Sequence, residues 1–278
     1  MIILIAALAA CIYQPDLSAS LVIDDTFTGP DNTALVGRLP SPTNVPGNSY
    51  DGNGNVSTIG GPTGGTPYEA DIQNNAAVLG GDAGVAVNLN IATPQQFQLS
   101  IDFNISANTQ TQADNAHRGA ALGFSAAVAI GSGGASHGFN NFTGLTVDTT
   151  GSVRLIIGGA DSGIFTTVAG FNSSVTHTLT YQVNTTSGVG TISNIVLDSA
   201  SITLTAPINT FTLARTVYAG FYNSSGGNTD LATFDNFSVA IVPEPAPFAA
   251  VVIFVLLACI ADYRFARDPI RAKNESLA

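Results

Sequence analysis

The sequence predicts an all-β protein whose body is an antiparallel β-sandwich of the jelly-roll kind, and three observations carry that prediction. Residues 97–105 alternate large apolar side chains with polar ones, which is the period-two pattern of a strand with one buried face. Similar short runs recur along the chain between clusters of Gly, Asn and Ser. Strong helix formers are scarce and no helical period occurs between residues 20 and 241, so we expect one sandwich domain there.

Eight further runs in the body are predicted to be strands of the same sandwich. They are residues 120–124, 145–147, 153–157, 178–183, 189–197, 202–204, 217–221 and 234–241. Residues 28–67 differ, because they are rich in Gly, Pro, Asn, Ser and Thr and hold few large apolar side chains. We expect them to form a long loop-rich segment across the sandwich, serving either as a ligand-binding rim or as irregular cover of an edge.

The N-terminal residues 1–19 have the pattern of a secretory signal peptide. Residues 1–12 are almost wholly apolar, and the small residues that follow predict cleavage near Ala19. The residues that end in Cys11 also fit a lipobox, so lipid modification of Cys11 is an alternative outcome. The chain has two cysteines, Cys11 and Cys259, and the body between them is therefore expected to fold without a disulfide.

The C-terminal residues 242–278 are predicted to hold a membrane-spanning segment. It opens with a stiff spacer at Pro243, Glu244 and Pro245. The spacer is stiff because proline neither continues a helix nor donates a hydrogen bond to a sheet. Residues 248–261 then carry no charge over 14 positions, which is about 21 Å of helix against a bilayer core of about 30 Å. We expect one transmembrane helix over about 246–263, with membrane lipid as its partner.

The tail 264–278 follows this helix and is basic. Its basic side chains lie on one side of the apolar run, at Arg264, Arg267, Arg271 and Lys273. The positive-inside tendency places them in the cytoplasm and the body outside.

The whole segment 242–278 resembles the PEP-CTERM sorting signal of exported bacterial proteins. The resemblance rests on the Pro-Glu-Pro motif at residues 243–245, the apolar helix after it and the terminal arginines. It implies that a membrane-embedded exosortase recognises the motif and removes or exchanges the tail. The protein is then expected at the cell surface or outside the cell once the tail has been processed.

The body resembles, more loosely, the concanavalin-like and laminin-G-like jelly rolls. The residues that carry this resemblance are 25–27, 99–103, 122–124, 181–184, 188–190 and 234–239. The resemblance implies the fold; many members of the family bind carbohydrate and some are glycosidases.

The charges of the body exclude several partners. Between residues 20 and 241 four arginines stand against fourteen carboxylates, a net charge of −10. Nucleic acid and anionic lipid surfaces are poor partners for such a body, so we expect no nucleic acid to bind.

The carboxylates also argue against catalysis. A retaining glycosidase needs two carboxyl groups about 5 Å apart, usually glutamates of one strand face. The body has Glu69 as its single glutamate, and no Asp-x-Asp pair stands on a predicted strand. The three histidines are predicted to be loop or surface residues rather than bases. We therefore expect no enzyme.

Calcium is the one cofactor for which the sequence offers candidate ligands. Asp24 and Asp25 lie near the first strand and Asp235 near the last, and pairing of the terminal strands would bring these oxygen ligands together. The alternative is a set of solvated carboxylates at turns, where Asp is common.

These observations predict an exported, non-catalytic protein of the cell surface or extracellular matrix, set among exopolysaccharide. The alternative is a carbohydrate-binding, lectin-like module, and a secreted glycoside hydrolase comes third.

Overall fold

The computed structural model describes residues 20–40, 48–52, 70–80, 83–89, 96–106, 119–125, 142–185, 190–205, 218–224 and 231–242. All of them belong to a compact unit that spans Ser20–Val242. The predicted signal peptide, sorting motif, transmembrane helix and basic tail lie outside these residues. Within the described ranges no helix is long and apolar enough to cross a membrane.

Sixteen strands lie in the described residues, and no helix lies among them. In chain order they are β1 Ser20–Asp25, β2 Thr33–Ala34, β3 Tyr50–Gly52, β4 Ala70–Gln73, β5 Ala76–Leu79, β6 Gly84–Asn88, β7 Gln96–Asn104, β8 Gly119–Ser125, β9 Thr143–Val147, β10 Ser152–Ile157, β11 Ala160–Thr167, β12 His177–Asn184, β13 Thr191–Leu197, β14 Ala200–Ile202, β15 Tyr218–Ser224 and β16 Ala232–Val242.

The strands form two antiparallel sheets, and the predicted β-sandwich is confirmed. Sheet A has the order β14-β13-β12-β7-β16-β5-β4-β2, with β1 also paired to β16. Sheet B has the order β11-β10-β9-β8-β15-β6-β3. Along β7 and β12 the residues alternate between buried and half-buried, so each strand turns one face to the core and one to solvent. One continuous core of apolar side chains fills the space between the sheets.

Several strands were not predicted from the sequence, although two of their turns carry a recognisable signal. Asn74 and Asn75 join β4 to β5 with φ of 52° and 59°. Gly158 and Gly159 join β10 to β11 with φ of 59° and 83°. Positive φ at both central residues is the two-residue hairpin turn that Asn and Gly favour, because it matches the twist of paired strands.

The described residues of the predicted loop-rich segment 28–67 lie at one edge of each sheet, where β2 and β3 are the edge strands. The amide of Leu35 donates to the carbonyl of Ala70 in sheet A at 3.1 Å, and the amide of Gly37 donates to the carbonyl of Tyr50 in sheet B at 2.7 Å. Leu35 and Tyr50 are buried in the core. The described residues of the segment therefore reach from sheet A to sheet B, and Leu35 and Tyr50 are interior. Its residues 41–47 and 53–67 lie outside the described ranges.

A buried ion pair fastens this crossing. Asp25 of β1 is fully buried and receives both Nη atoms of Arg38, the Nη2 contact measuring 3.0 Å. The same carboxylate accepts the hydroxyl of Tyr50 at 2.9 Å and the amide of Phe27 at 3.0 Å. Burial, with the charge of Asp25, raises the pKa of Tyr50 well above its usual value. Removing one partner of such a pair typically costs about 3–5 kcal/mol, because it leaves a buried charge without compensation.

Candidate functional site

The outer face of sheet A is a polar, accessible surface, which we call the polar face. It consists of the side chains of β7, β12 and β16 that alternate with the core residues, and these are half-buried rather than buried. Its members are Gln96, Gln98, Ser100, Asp102, Asn104, Thr178, Thr180, Gln182, Asn184, Thr233, Asp235 and Ser238. Within the described residues it carries hydroxyls, amides and carboxylates and no basic group.

Neighbouring side chains of the polar face are hydrogen-bonded across the strands. The hydroxyls of Ser100 and Thr180 lie 2.7 Å apart. The amide nitrogen of Gln96 donates to the oxygen of Gln182 at 3.0 Å, and the same oxygen accepts from Asn194 at 2.7 Å. These cross-strand pairs fix the rotamers of the surface before any ligand arrives.

Asp102 lies at the centre of the polar face and is held on both oxygens. Its Oδ1 accepts the hydroxyl of Thr178 at 2.5 Å, and its Oδ2 accepts the side-chain Nδ2 of Asn236 at 2.7 Å. The cross-strand partner of Asp102 is Asp235, which puts two carboxylates side by side. Burial raises the pKa of Asp235, and the charge of Asp102 adds to the rise.

The sequence did not reveal this carboxylate pair. Asp102 and Asp235 stand on strands that are far apart in the chain, and only the register of β7 against β16 makes them neighbours. A bulge between Asp235 and Ser238, with Asn236 at φ 49°, shifts that register. Period-two alternation could place Asp102 on a solvent-facing side, but it carries no information about the partner strand.

The structure does not bring the three predicted calcium ligands together. Asp24 is exposed and lies opposite Ser238, on the same side of sheet A as Asp235. Asp25 points into the core, where Arg38 and Tyr50 occupy its oxygens. Adjacent residues of a strand face opposite sides, so Asp25 cannot join the other two. Among the residues described, no group of three His, Cys, Asp or Glu side chains could hold a metal ion.

The outer face of sheet B is different in kind. A row that crosses its strands contains Ala86, Gly220, Gly123, Gly144 and Ile156. The ring of Phe142 lies on this row, because a Cβ built on Gly123 would stand 2.7 Å from its Cε2. Phe142 also forms a small buried apolar cluster with Ala121, Ile156 and Tyr222. The middle of this face is therefore packing surface, and polar side chains return near Arg154 of β10.

His177 departs from its prediction as a loop or surface residue. It begins β12 and is 5% exposed. Its Nδ1 lies 2.9 Å from a carboxylate oxygen of Asp198, its Nε2 lies 2.8 Å from the carbonyl of Asn172, and its ring stacks on Phe171 at 4.1 Å. These contacts anchor the loop before β12 and leave no ring nitrogen for catalysis. The other two histidines lie outside the described residues.

No protein-family model and no curated protein matches the chain. Among solved structures it is similar to peanut lectin with a 9mer peptide, at 13% identity over 76% of this chain and 96% of that one, with a TM-score of 0.46. The carbohydrate recognition domain of Emp47p has 14% identity over 82% and 98%, with a TM-score of 0.45. Alginate lyase Aly36B in complex with an alginate trisaccharide has 13% identity over 70% and 88%, with a TM-score of 0.40. Similarity of this degree concerns the sandwich fold and does not identify a ligand.

Proposed function

We propose that the chain is an exported, non-catalytic carbohydrate-binding protein that holds neutral saccharides on the polar face of sheet A. One observation carries the proposal: an accessible sheet surface presents paired hydroxyl, amide and carboxylate groups around Asp102, with no basic side chain among its described residues. The two arginines of the described residues, Arg38 and Arg154, lie elsewhere.

The chemistry of sugars matches this surface. Each sugar hydroxyl both donates and accepts a hydrogen bond, and so do the side chains of Ser, Thr, Asn and Gln. A carboxylate such as Asp102 accepts a stronger, charge-assisted hydrogen bond from a hydroxyl. Because the cross-strand pairs already fix these side chains, binding loses less conformational entropy than it would on a mobile surface. The net charge of −10 in the body favours a neutral saccharide over an anionic polymer.

The route of export belongs to the proposal and is supported by the sequence alone. The Pro243-Glu244-Pro245 motif, the apolar segment and the basic tail support sorting by an exosortase, with membrane lipid around the segment until the tail is processed. Mass spectrometry of the mature chain tests this. We expect a product that ends near Pro243 in cells with an exosortase and an intact tail in cells without one. An intact tail in both would overturn the sorting proposal.

Binding is tested with the purified full-length chain on an array of neutral and acidic glycans. We expect neutral hits, and we expect Thr178→Val to weaken them about tenfold, because the hydroxyl that orients Asp102 is lost. Thr167→Val on the exposed strand β11 is the matched control and should bind as the parent does. Equal loss in both variants would count against the polar face. A folded protein with no hit would leave a structural or adhesive role instead.

Glycoside hydrolysis is a second candidate, favoured by the Asp102 and Asp235 pair. Cross-strand neighbours have Cβ atoms about 4.5–5.5 Å apart, which is close to the spacing of a retaining pair of carboxyl groups. Release of reducing ends from bound glycans, measured with the parent chain and with Asp102→Asn, decides between binding and hydrolysis. We expect no release from either. Release that disappears in the variant would establish the enzyme.

A further inference from the structure

Arg154 has a guanidinium group that makes no hydrogen bond within the described residues. The group stacks over the ring of Phe165, with its Cζ 4.4 Å from the ring centroid. Its Nη1 lies 3.5 Å from Asp161 Oδ2, which is longer than the usual hydrogen bond of about 2.7–3.2 Å. Within the described part of the chain its Nε is buried with no acceptor. Arg38 differs, because its guanidinium group makes a bidentate contact with the carboxylate of Asp25.

Ser152 adds a second unused donor beside it. It lies two residues before Arg154 on β10, so both side chains point to the outer face of sheet B. Its hydroxyl is buried without a hydrogen-bond partner in the described residues, although its backbone bonds to Asp148. Unpaired donors are unfavourable in a partly buried position, and here two of them lack an acceptor. The cluster is short of oxygen acceptors, not of donors.

The cluster is open to solvent at one side. The side chain of Arg154 is 21% exposed, and Phe165 is among the few large apolar residues that are exposed, at 40%. Stacking on the ring orients the guanidinium plane while leaving its N–H groups free, which is the arrangement that suits bidentate contact with a planar carboxylate. The exposed part of the Phe165 ring offers an apolar surface to a sugar ring beside that carboxylate.

We propose that Arg154 and Phe165, beside the buried Ser152, form a second saccharide site, which takes the carboxylate of a uronic acid. The Nη atoms of Arg154 receive the carboxylate oxygens, and the sugar ring rests against Phe165. Asp161 is the competing carboxylate and lowers the affinity of the site. This site lies on the sheet opposite the polar face and takes a ligand of opposite character, so it does not depend on the neutral site of the proposed function.

The test is a titration of the ¹⁵N-labelled full-length chain with a trimer of galacturonic acid, followed through the Nε–H resonance of Arg154. The matched probe is the galactose trimer of the same linkage, which lacks the carboxylates. We expect the acidic trimer to shift that resonance and to bind at least about tenfold more tightly than the neutral trimer, the size of one charge-assisted hydrogen-bonded contact. Equal binding of the two trimers, or a resonance that stays still, would overturn the proposal.

Variants give an independent reading. Asp161→Asn should tighten binding of the acidic trimer, since it removes the competing charge while Asn can still accept the amide of Gly163. Arg154→Gln should weaken it about tenfold, and Arg154→Lys should weaken it less because the charge stays. Unchanged or weaker binding in Asp161→Asn would sink the idea even where Arg154→Gln fails to fold. Thr178→Val should leave the acidic trimer unaffected, which separates failure of this site from failure of the polar face.

Discussion

The outer faces of the two sheets carry different side chains, although both sheets are antiparallel. On sheet A the strands β7, β12 and β16 present Ser, Thr, Asn, Gln and Asp in hydrogen-bonded pairs. On sheet B the equivalent central positions hold glycines and alanines under the ring of Phe142. Polar and charged groups return at the end of sheet B, at Arg154 and Asp161.

This difference between the two outer faces indicates that sheet A is suited to ligand recognition and sheet B to packing. A face whose polar groups are paired with one another and still half-exposed can exchange water for a ligand without rearranging the core. A face whose small residues let an aromatic ring approach the backbone is committed to burial, because any added atom meets main chain. Substitutions should therefore change stability on sheet B and binding on sheet A.

The largest effect is expected where the packing face is filled. Gly123→Val places a branched side chain where even a Cβ would stand 2.7 Å from Phe142 Cε2 and 2.8 Å from Gly144 Cα. We expect a loss of about 3 kcal/mol in the free energy of unfolding, measured with denaturant. Ser238→Val on the polar face is the matched control and should change stability by less than about 0.5 kcal/mol. Comparable losses in the two variants would remove the distinction between the faces.

A smaller effect concerns the charge of the polar face. Because burial raises the pKa of Asp235, the folded protein holds that proton more tightly than the unfolded chain. The resulting stabilisation is fully present below the unfolded pKa of about 3.9 and is lost as pH rises through the raised folded pKa. Asp235→Asn should therefore gain stability relative to the parent chain as the pH rises above about 4.

Melting temperatures of the parent chain and of Asp235→Asn across that pH range give the measurement. Thr233→Asn, a nearby change on the same strand that cannot titrate, is the control and should show the same pH trend as the parent. If the difference in melting temperature between Asp235→Asn and the parent does not grow with pH, the ionised carboxylate of Asp235 is not destabilised by its surroundings.

The smallest effect isolates one cross-strand pair. Ser100→Ala, Thr180→Val and the double variant form a cycle around a hydroxyl contact of 2.7 Å. We expect a coupling energy of about 0.5 kcal/mol in stability, because the contact is solvent-accessible. In each single variant, the loss in the free energy of glycan binding should be larger than the loss in the free energy of unfolding. A coupling near zero would mean that the pairs do not organise the face.

Much of the fold could be predicted from the sequence because the long strands carry their own pattern. The alternation over residues 97–105 gave both the strand β7 and the side that faces the core. Short strands such as β4 lack such a pattern: Asp71 and Gln73 are buried there beside Ala70 and Ile72, so no alternation is visible. The turn Asn74-Asn75 was the available signal for that hairpin.

The candidate sites were less predictable, because they depend on register. Asp102 meets Asp235 only through the pairing of β7 with β16, and a bulge alters that pairing locally. Pairing of the terminal strands predicts Asp25 as a calcium ligand, but no local pattern shows that Arg38, from a loop-rich segment, reaches it inside the core. Side-chain contacts between strands that are distant in the chain belong to the tertiary structure, and the periodicity of a single strand does not predict them.

The position of β16 has a mechanical consequence for the C-terminal tether that the proposed export route implies. β16 pairs with β7 along one side and with β1 and β5 along the other, so it is a central strand of sheet A. A pull applied at Val242 along the strand loads both rows of hydrogen bonds in shear, and many must break together, whereas an edge strand can peel one bond at a time. The same strand carries Asp235 and Ser238 of the polar face. Under the proposed function, load between a bound saccharide and the tether would therefore pass through a strand that is hydrogen-bonded along both sides.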